Sequence, residues 1–259
     1  MNDTRFLGID RLYGKGSAAR LRHVRIAVVG LGGVGSWAAE ALARSGAGSL
    51  TLIDGDEVCV SNVNRQSHAL DGEFGRPKVE VLAARLRSIN PGLHVEARAH
   101  FLTPSSIGPL LEENHDLVLD ACDAFRVKVE LIARCRRAKR PVVVTGSAGG
   151  RTDPTQVRVR DLSRTEHDKL LSLIRKKLRQ DFNFPKGPER YFGVPAVYSL
   201  ENVRYPQPDG SACGLRPRTD AEGGFRLDCG AGLGAAMHVT AAFACAAVGR
   251  ALALLLKTE

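Results

Sequence analysis

The sequence predicts an α/β protein with a doubly wound, mostly parallel sheet and a basic C-terminal extension. Two observations carry this. Short apolar runs alternate with helical stretches through the first 150 residues, and the first run ends in a glycine cluster. Strand–helix alternation of this kind closes into a parallel sheet with right-handed crossovers.

Residues 1–23 form a polar, glycine-dotted lead-in with helical pieces. Val24 to Val29 is a continuous apolar run, the pattern of a strand covered on both faces. Ser36 to Ser45 is rich in Ala and Leu and is predicted helical. Strands follow at Leu50–Ile53, Val95–Ala99, Leu117–Leu119 and Pro141–Thr145, with helices at Pro77–Ile89 and Phe125–Ala138. After Gly150 the alternation breaks, with a short strand predicted at Val157–Val159. Leu170, Leu171, Ile174 and Leu178 mark a helical stripe inside a basic stretch, 158–190. Residues 202–228 are rich in Pro, Gly and charge and read as a loop. Gly230–Leu256 reads as a small-residue apolar helix. It is long enough for a bilayer, but His238, Arg250 and its Ala/Gly content favour a core helix over a membrane span. The division is a nucleotide-binding core over 1–150 and a substrate-binding extension over 151–259, together one domain.

The chain opens without an apolar leader, and its six cysteines (59, 122, 135, 213, 229 and 245) form no CxxC pair. Reduced thiols and a cytoplasmic protein are expected. A net charge of +9 suits a polyanionic partner such as RNA, or plain solubility.

The glycine cluster is Gly30-Leu31-Gly32-Gly33-Val34-Gly35, after a strand and before a helix. Such glycines let backbone N–H groups approach a phosphate at a helix N-terminus. Asp54, at the end of the second strand, is placed to accept ribose hydroxyls. On these residues alone the fold is Rossmann-like and the reading is a dinucleotide-binding dehydrogenase. Asp54-Gly55-Asp56, Ser61-Asn62-Val63-Asn64-Arg65-Gln66 and Lys78 change it. Arg65 offers a fork and Lys78 a point charge, more cation than a pyrophosphate needs and suited to a triphosphate. Asp123, past the fourth predicted strand, is the candidate Mg²⁺ ligand, and Asp120 suits a cap or a loop hydrogen bond.

In combination these motifs resemble the ubiquitin-activating-like adenylating enzymes, which include the bacterial activators of small sulfur-carrier proteins. The resemblance covers roughly residues 5–150 and implies ATP and Mg²⁺ as cofactors. It implies a ribose contact for Asp54, phosphate contacts for Arg65 and Lys78, support from Asp56, Asn62 and Gln66, and a metal contact for Asp123. It also implies a homodimer in which an N-terminal arginine of the partner copy, Arg11 or else Arg5, reaches the nucleotide. The chain departs from the sulfur-carrier activators in having no CxxC pairs, so neither structural zinc nor a ubiquitin-like partner is expected. RLYG at 11–14, SRTEHDKLL at 163–171, VYSLE at 197–201 and LGAAMHVTA at 233–241 resemble the branch of tRNA threonylcarbamoyladenosine dehydratases.

That branch implies adenylation of the threonyl carboxylate on the tRNA adenosine beside the anticodon, then ring closure with net loss of water. It gives the basic stretch a role, with Arg164, Arg175, Lys176, Lys177 and Arg179 as candidate tRNA contacts; a solvated face is the alternative. Phe182, Phe184, Tyr191 and Phe192 could stack on bases or pack in the core. Cys229 is a candidate sulfur relay or a small buried thiol, and association with a cysteine desulfurase system is implied by resemblance alone. The competing functions are activation of a sulfur carrier, a noncatalytic RNA-binding scaffold, and the dehydrogenase, in that order.

Overall fold

The computed structural model describes residues 4–187, 189–215 and 233–257. Two short helices, α1 (Leu7–Tyr13) and α2 (Ser17–Leu21), lead into β1 (Arg25–Val29), α3 (Gly35–Arg44), β2 (Ser49–Ile53), α4 (Lys78–Ile89) and β3 (His94–Arg98). Next come α5 (Ile107–Glu112), β4 (Leu117–Asp120), α6 (Phe125–Arg137), β5 (Val142–Thr145), β6 (Val157–Asp161), α7 (Lys169–Asp181) and β7 (Pro195–Ser199). A small hairpin, β8 (Tyr205–Pro206) and β9 (Ala212–Cys213), precedes the last helix, α8 (Met237–Leu256).

Seven strands form one sheet in the order β3-β2-β1-β4-β5-β7-β6. Every neighbouring pair is parallel except β6 with β7. Successive strand side chains point to opposite faces. Ile26 and Val28 therefore meet the layer of α3, α4 and α8, while Ala27 and Val29 meet α5, α6 and α7. Both faces are covered, which is why the central strands read as unbroken apolar runs.

The predicted helices and strands of the first 150 residues are present, with no end shifted by more than one residue. Nothing in the residue pattern announces α5, β7 or the β8–β9 hairpin. The alternation does not stop at Gly150: β7 lies parallel to β5, and α7 sits on the crossover between them. The short edge strand β6 interrupts the pattern because it returns antiparallel along β7. The last helix begins at Met237 rather than Gly230. Ala236 is extended (φ −138°, ψ 151°), and the carbonyl of Gly234 accepts from the Gly150 amide (2.7 Å). Residues 216–232, which include part of the predicted loop and Cys229, lie outside the described residues.

Among the described residues, α8 alone is long and apolar enough to cross a bilayer. It lies against the sheet and α3, burying Val239, Phe243, Ala244, Ala247, Val248, Ala251 and Leu252. Its alanines allow close approach to the neighbouring backbone.

Among the described residues one ion pair is wholly enclosed. Lys128 Nζ lies 2.9 Å from Asp120 Oδ1, and both side chains are fully buried. Lys128 also donates to the Asp120 carbonyl (3.1 Å), and Asp120 Oδ1 accepts the Cys122 amide (3.2 Å). The pair fixes the turn from β4 into α6. Lys128→Met strands a buried carboxylate, so we expect a loss of about 3–5 kcal/mol in urea unfolding. A loss below 1 kcal/mol would show that the turn does not depend on the pair.

Candidate functional site

The carboxyl ends of β1, β2, β4 and β5 open into one cavity of about 810 Å³. Its floor is the glycine loop. Gly30 has φ +83°, and a Cβ there would stand 2.7 Å from the Cys122 backbone, so β1 and β4 come this close only around glycine. A Cβ on Gly33 would meet Thr240 of α8 at 2.9 Å. The loop therefore lies between the β4 turn and the last helix.

Asp54 holds the loop in place. Its Oδ2 accepts the Leu31 amide (2.6 Å) and its Oδ1 the Asp56 amide (2.8 Å). Burial pushes its carboxyl above the ordinary range, opposed by those two amides and by Lys78. Lys78, itself buried, reaches Asp56 Oδ2 at 2.8 Å. Arg65 donates to the Ser61 carbonyl (2.7 Å) and to Asn64 Oδ1 (3.0 Å). Its own carbonyl accepts from Trp37 Nε1 (2.9 Å) and Thr240 Oγ1 (3.4 Å). Asn62 is buried, with its Oδ1 on the Cys59 amide (3.2 Å). Gln66 Oε1 is buried and has no partner among the described residues. Asp123 is exposed on the β4 side of the cavity, which Gly30, Gly32, Gly33, Asp54, Asp56, Asn62, Arg65, Gln66 and Lys78 also line.

The arrangement suits a nucleotide triphosphate. A glycine-rich floor at the start of α3, two cations and a buried side-chain amide oxygen unpartnered among the described residues face one space. Among the described residues no three His, Cys, Asp or Glu side chains cluster to hold a metal.

The sequence profile of the ThiF family matches residues 6–259. The chain belongs to the ThiF family. Within it, the chain is 48% identical over 248 residues to the tRNA threonylcarbamoyladenosine dehydratase of Escherichia coli, covering 96% of this chain and 92% of that one. Identity to the Haemophilus influenzae enzyme of the same name is 45%, covering 99% of this chain and 95% of that one. The crystal structure of the E. coli enzyme in complex with ATP superposes with a TM-score of 0.85 at 43% identity, covering 98% of this chain and 94% of that one. Similarity to the E. coli molybdopterin-synthase adenylyltransferase reaches 42% identity but spans 48% of this chain and 49% of that one.

The rest of the ThiF-family reading falls outside the cavity or outside the described residues. Arg11 is exposed on α1 and does not line this chain's own cavity, and Arg5 lies over the Phe6 ring (5.9 Å). Cys229 is not among the described residues. Of the five basic candidates, Arg175 donates to Thr165 Oγ1, and Arg179 donates to the Pro185 carbonyl (3.2 Å) and stacks on Phe192 (5.3 Å). Lys177 pairs with Asp181 (2.8 Å), Arg164 stacks on the exposed Tyr191 (4.9 Å), and Lys176 points to solvent. Phe192 is buried and meets Phe184 edge-on (4.9 Å), so these two rings are core. Sequence reasoning missed Trp37, Thr240 and the cavity wall after β5, from Thr145 to Arg151 with Asp168, Lys169 and Tyr205. The Gly149-Gly150 pair after an apolar strand was the available signal.

Behind the loop lies His68, fully buried, with neither ring nitrogen hydrogen-bonded among the described residues. Burial pushes its pKa from 6.5 to about 4, and the charges of Lys78 and Arg85 add to the effect. Between those values the unfolded chain binds a proton that the folded chain excludes. Stability is therefore lost as pH falls through that window, by up to about 3 kcal/mol for this group. Urea unfolding of wild type and His68→Gln between pH 7 and 4 measures it. The variant is expected to lose less stability on acidification, and parallel curves would refute the assignment.

Proposed function

We propose that this protein is an ATP-dependent tRNA threonylcarbamoyladenosine dehydratase, a ligase that forms an acyl-adenylate and then closes a ring. The observation that carries the reading is a triphosphate-suited cavity in a chain that is similar over nearly its whole length to enzymes of that name. The chain would act as one adenylation unit, with residues 1–150 holding ATP and residues 151–259 meeting the tRNA.

A carboxylate is a poor electrophile because its leaving group is oxide. Attack of the threonyl carboxylate oxygen on the α-phosphate of ATP displaces pyrophosphate and leaves an acyl-adenylate. A carbamoyl oxygen or nitrogen of the same side chain then attacks the acyl carbon and expels AMP, which keeps the carboxylate oxygen. The product is a five-membered ring, and the tRNA has lost one water. The second step is intramolecular, so positioning supplies most of what it needs. The first needs in-line geometry and charge stabilisation. The loop amides and Asp54 would set the nucleotide, with Asn62 and Gln66 beside the phosphates. Lys78 would leave Asp56 for the phosphates, joined by Arg65. Asp123 would hold Mg²⁺ together with phosphate oxygens and water, which suits an ion that keeps much of its hydration.

The exposed Lys176 and the Arg164–Tyr191 stack are the candidate contacts for the anticodon arm, with Arg175, Lys177 and Arg179 behind them. A second copy of the chain would bring Arg11 to the nucleotide. Association with a cysteine desulfurase system is supported by the family resemblance alone, and so, separately, is a sulfur-relay role for Cys229.

Mass spectrometry of nucleosides from threonylcarbamoylated tRNA, incubated with the protein, ATP and Mg²⁺, tests the reading. We expect the modified adenosine to lose one water, and Arg65→Ala or Lys78→Ala to lower kcat/KM by at least about 100-fold. An unchanged nucleoside, with a carrier-protein C-terminus adenylated instead, would replace this reading with sulfur-carrier activation.

A further inference from the structure

The cavity does not end at the nucleotide loop. It runs along the carboxyl edge of the sheet from Asp54 after β2, through the glycine loop after β1 and Asp123 after β4, to Thr145–Arg151 after β5. The order of strands sets the order of groups along a bound ligand. With the ribose at β2 and the phosphates at β1 and β4, the acyl group falls on the β5 side.

Arg151 lines that end and is 3% exposed. Its Nη2 donates to the His167 carbonyl (2.7 Å), while Nε and Nη1 are buried and have no partner among the described residues. A buried guanidinium with two idle donors is costly unless a ligand completes it. The nearest counter-charge does not complete it. Asp168 is buried, but its Oδ1 accepts the Leu171 amide (2.8 Å) and its Oδ2 the Ser147 amide (2.8 Å). It faces Arg151 as a neighbouring charge, without an ion pair among the described residues.

The backbone at this point is held from both sides. The Gly150 amide donates to the Gly234 carbonyl (2.7 Å), its carbonyl accepts the Arg204 amide (2.8 Å), and His238 Nε2 meets the Thr152 carbonyl (3.0 Å). The guanidinium is thus presented to the cavity on a fixed frame before any ligand arrives.

We propose that Arg151 binds the carboxylate of the acyl group that is to be adenylated; this rests on the reaction proposed above. Nε and Nη1 lie on opposite edges of the guanidinium, so one carboxylate oxygen held by either of them leaves the other oxygen free to attack the α-phosphate. RNA backbone phosphates cannot fill the role, because they remain at the surface while a side chain on the base can enter the cavity. ATP phosphates are served at the other end by the loop amides, Lys78 and Arg65. Lys169 and Tyr205, joined at 2.9 Å (Nζ to Oη), close the same end of the cavity.

The test uses two synthetic anticodon stem-loops with identical phosphates. In one the adenosine carries the threonylcarbamoyl group, and in the other the threonyl carboxylate is replaced by a carboxamide. We expect wild-type protein to prefer the carboxylate by about tenfold or more. Arg151→Gln should bind the two equally with its ATP affinity unchanged. A preference that survives in Arg151→Gln, a wild-type protein with no preference, or a variant that loses ATP affinity while keeping the preference would overturn the proposal. If Arg151→Gln binds neither stem-loop nor ATP, it has not folded, and Arg151→Lys decides. A preference reduced severalfold with ATP affinity kept supports the proposal, and an unchanged preference overturns it. Failure of the reaction itself reads out separately, as wild-type protein that leaves the modified nucleoside intact in the presence of ATP.

Discussion

The carboxylate of Asp54 organises the nucleotide end of this molecule. It sits at the end of β2, accepts one amide from the glycine loop after β1, and accepts a second from its own turn at Asp56. Those two bonds set the path of the loop and the direction in which Asp56 leaves the strand. Asp56 in turn holds Lys78 at the start of α4. The residue expected to bind a ribose is thus also the clamp that shapes the surface on which phosphates would lie. The roles are compatible, since each carboxylate oxygen accepts more than one hydrogen bond.

The opposite wall depends on α8. Its composition is that of a membrane helix, but the sheet face and α3 provide the apolar surroundings that a bilayer would otherwise supply. Small residues let it come near enough for Thr240 to touch the glycine loop and the Arg65 carbonyl. The region after Gly150 is therefore woven into the nucleotide site. It supplies a strand beside β5, a helix across α3, and the side chains of the cavity wall.

The doubly wound core was legible because burial on both faces removes the polar half of the strand pattern, leaving apolar runs bounded by Gly and Asp. The glycine loop, Asp54, Arg65 and Lys78 were legible because fixed spacing on one loop carries their chemistry. β7 was not, since Pro195–Ser199 is short and its neighbours β5 and β6 are distant in the sequence. Nor were Trp37 and Thr240, whose roles come from hydrogen bonds to a backbone carbonyl far along the chain. Arg175 and Arg179 looked like members of a solvated basic face, yet both bond within the fold, because a long side chain can lay its stem on apolar surface while its head finds a local acceptor. Arg151 precedes the basic stretch and belongs to no motif, and only its enclosure distinguishes it.

The contact between Thr240 and the Arg65 carbonyl joins residues 175 positions apart. A chain emerging from the ribosome makes β1, the glycine loop and Arg65 early, but the helix that backs them comes last. Until then the apolar sheet face of Leu119, Val143 and Val197 lacks its cover. Closing so long a loop is slow, and surface left uncovered meanwhile is prone to aggregation. The nascent protein therefore passes through an interval in which the nucleotide loop exists as sequence but not as a site.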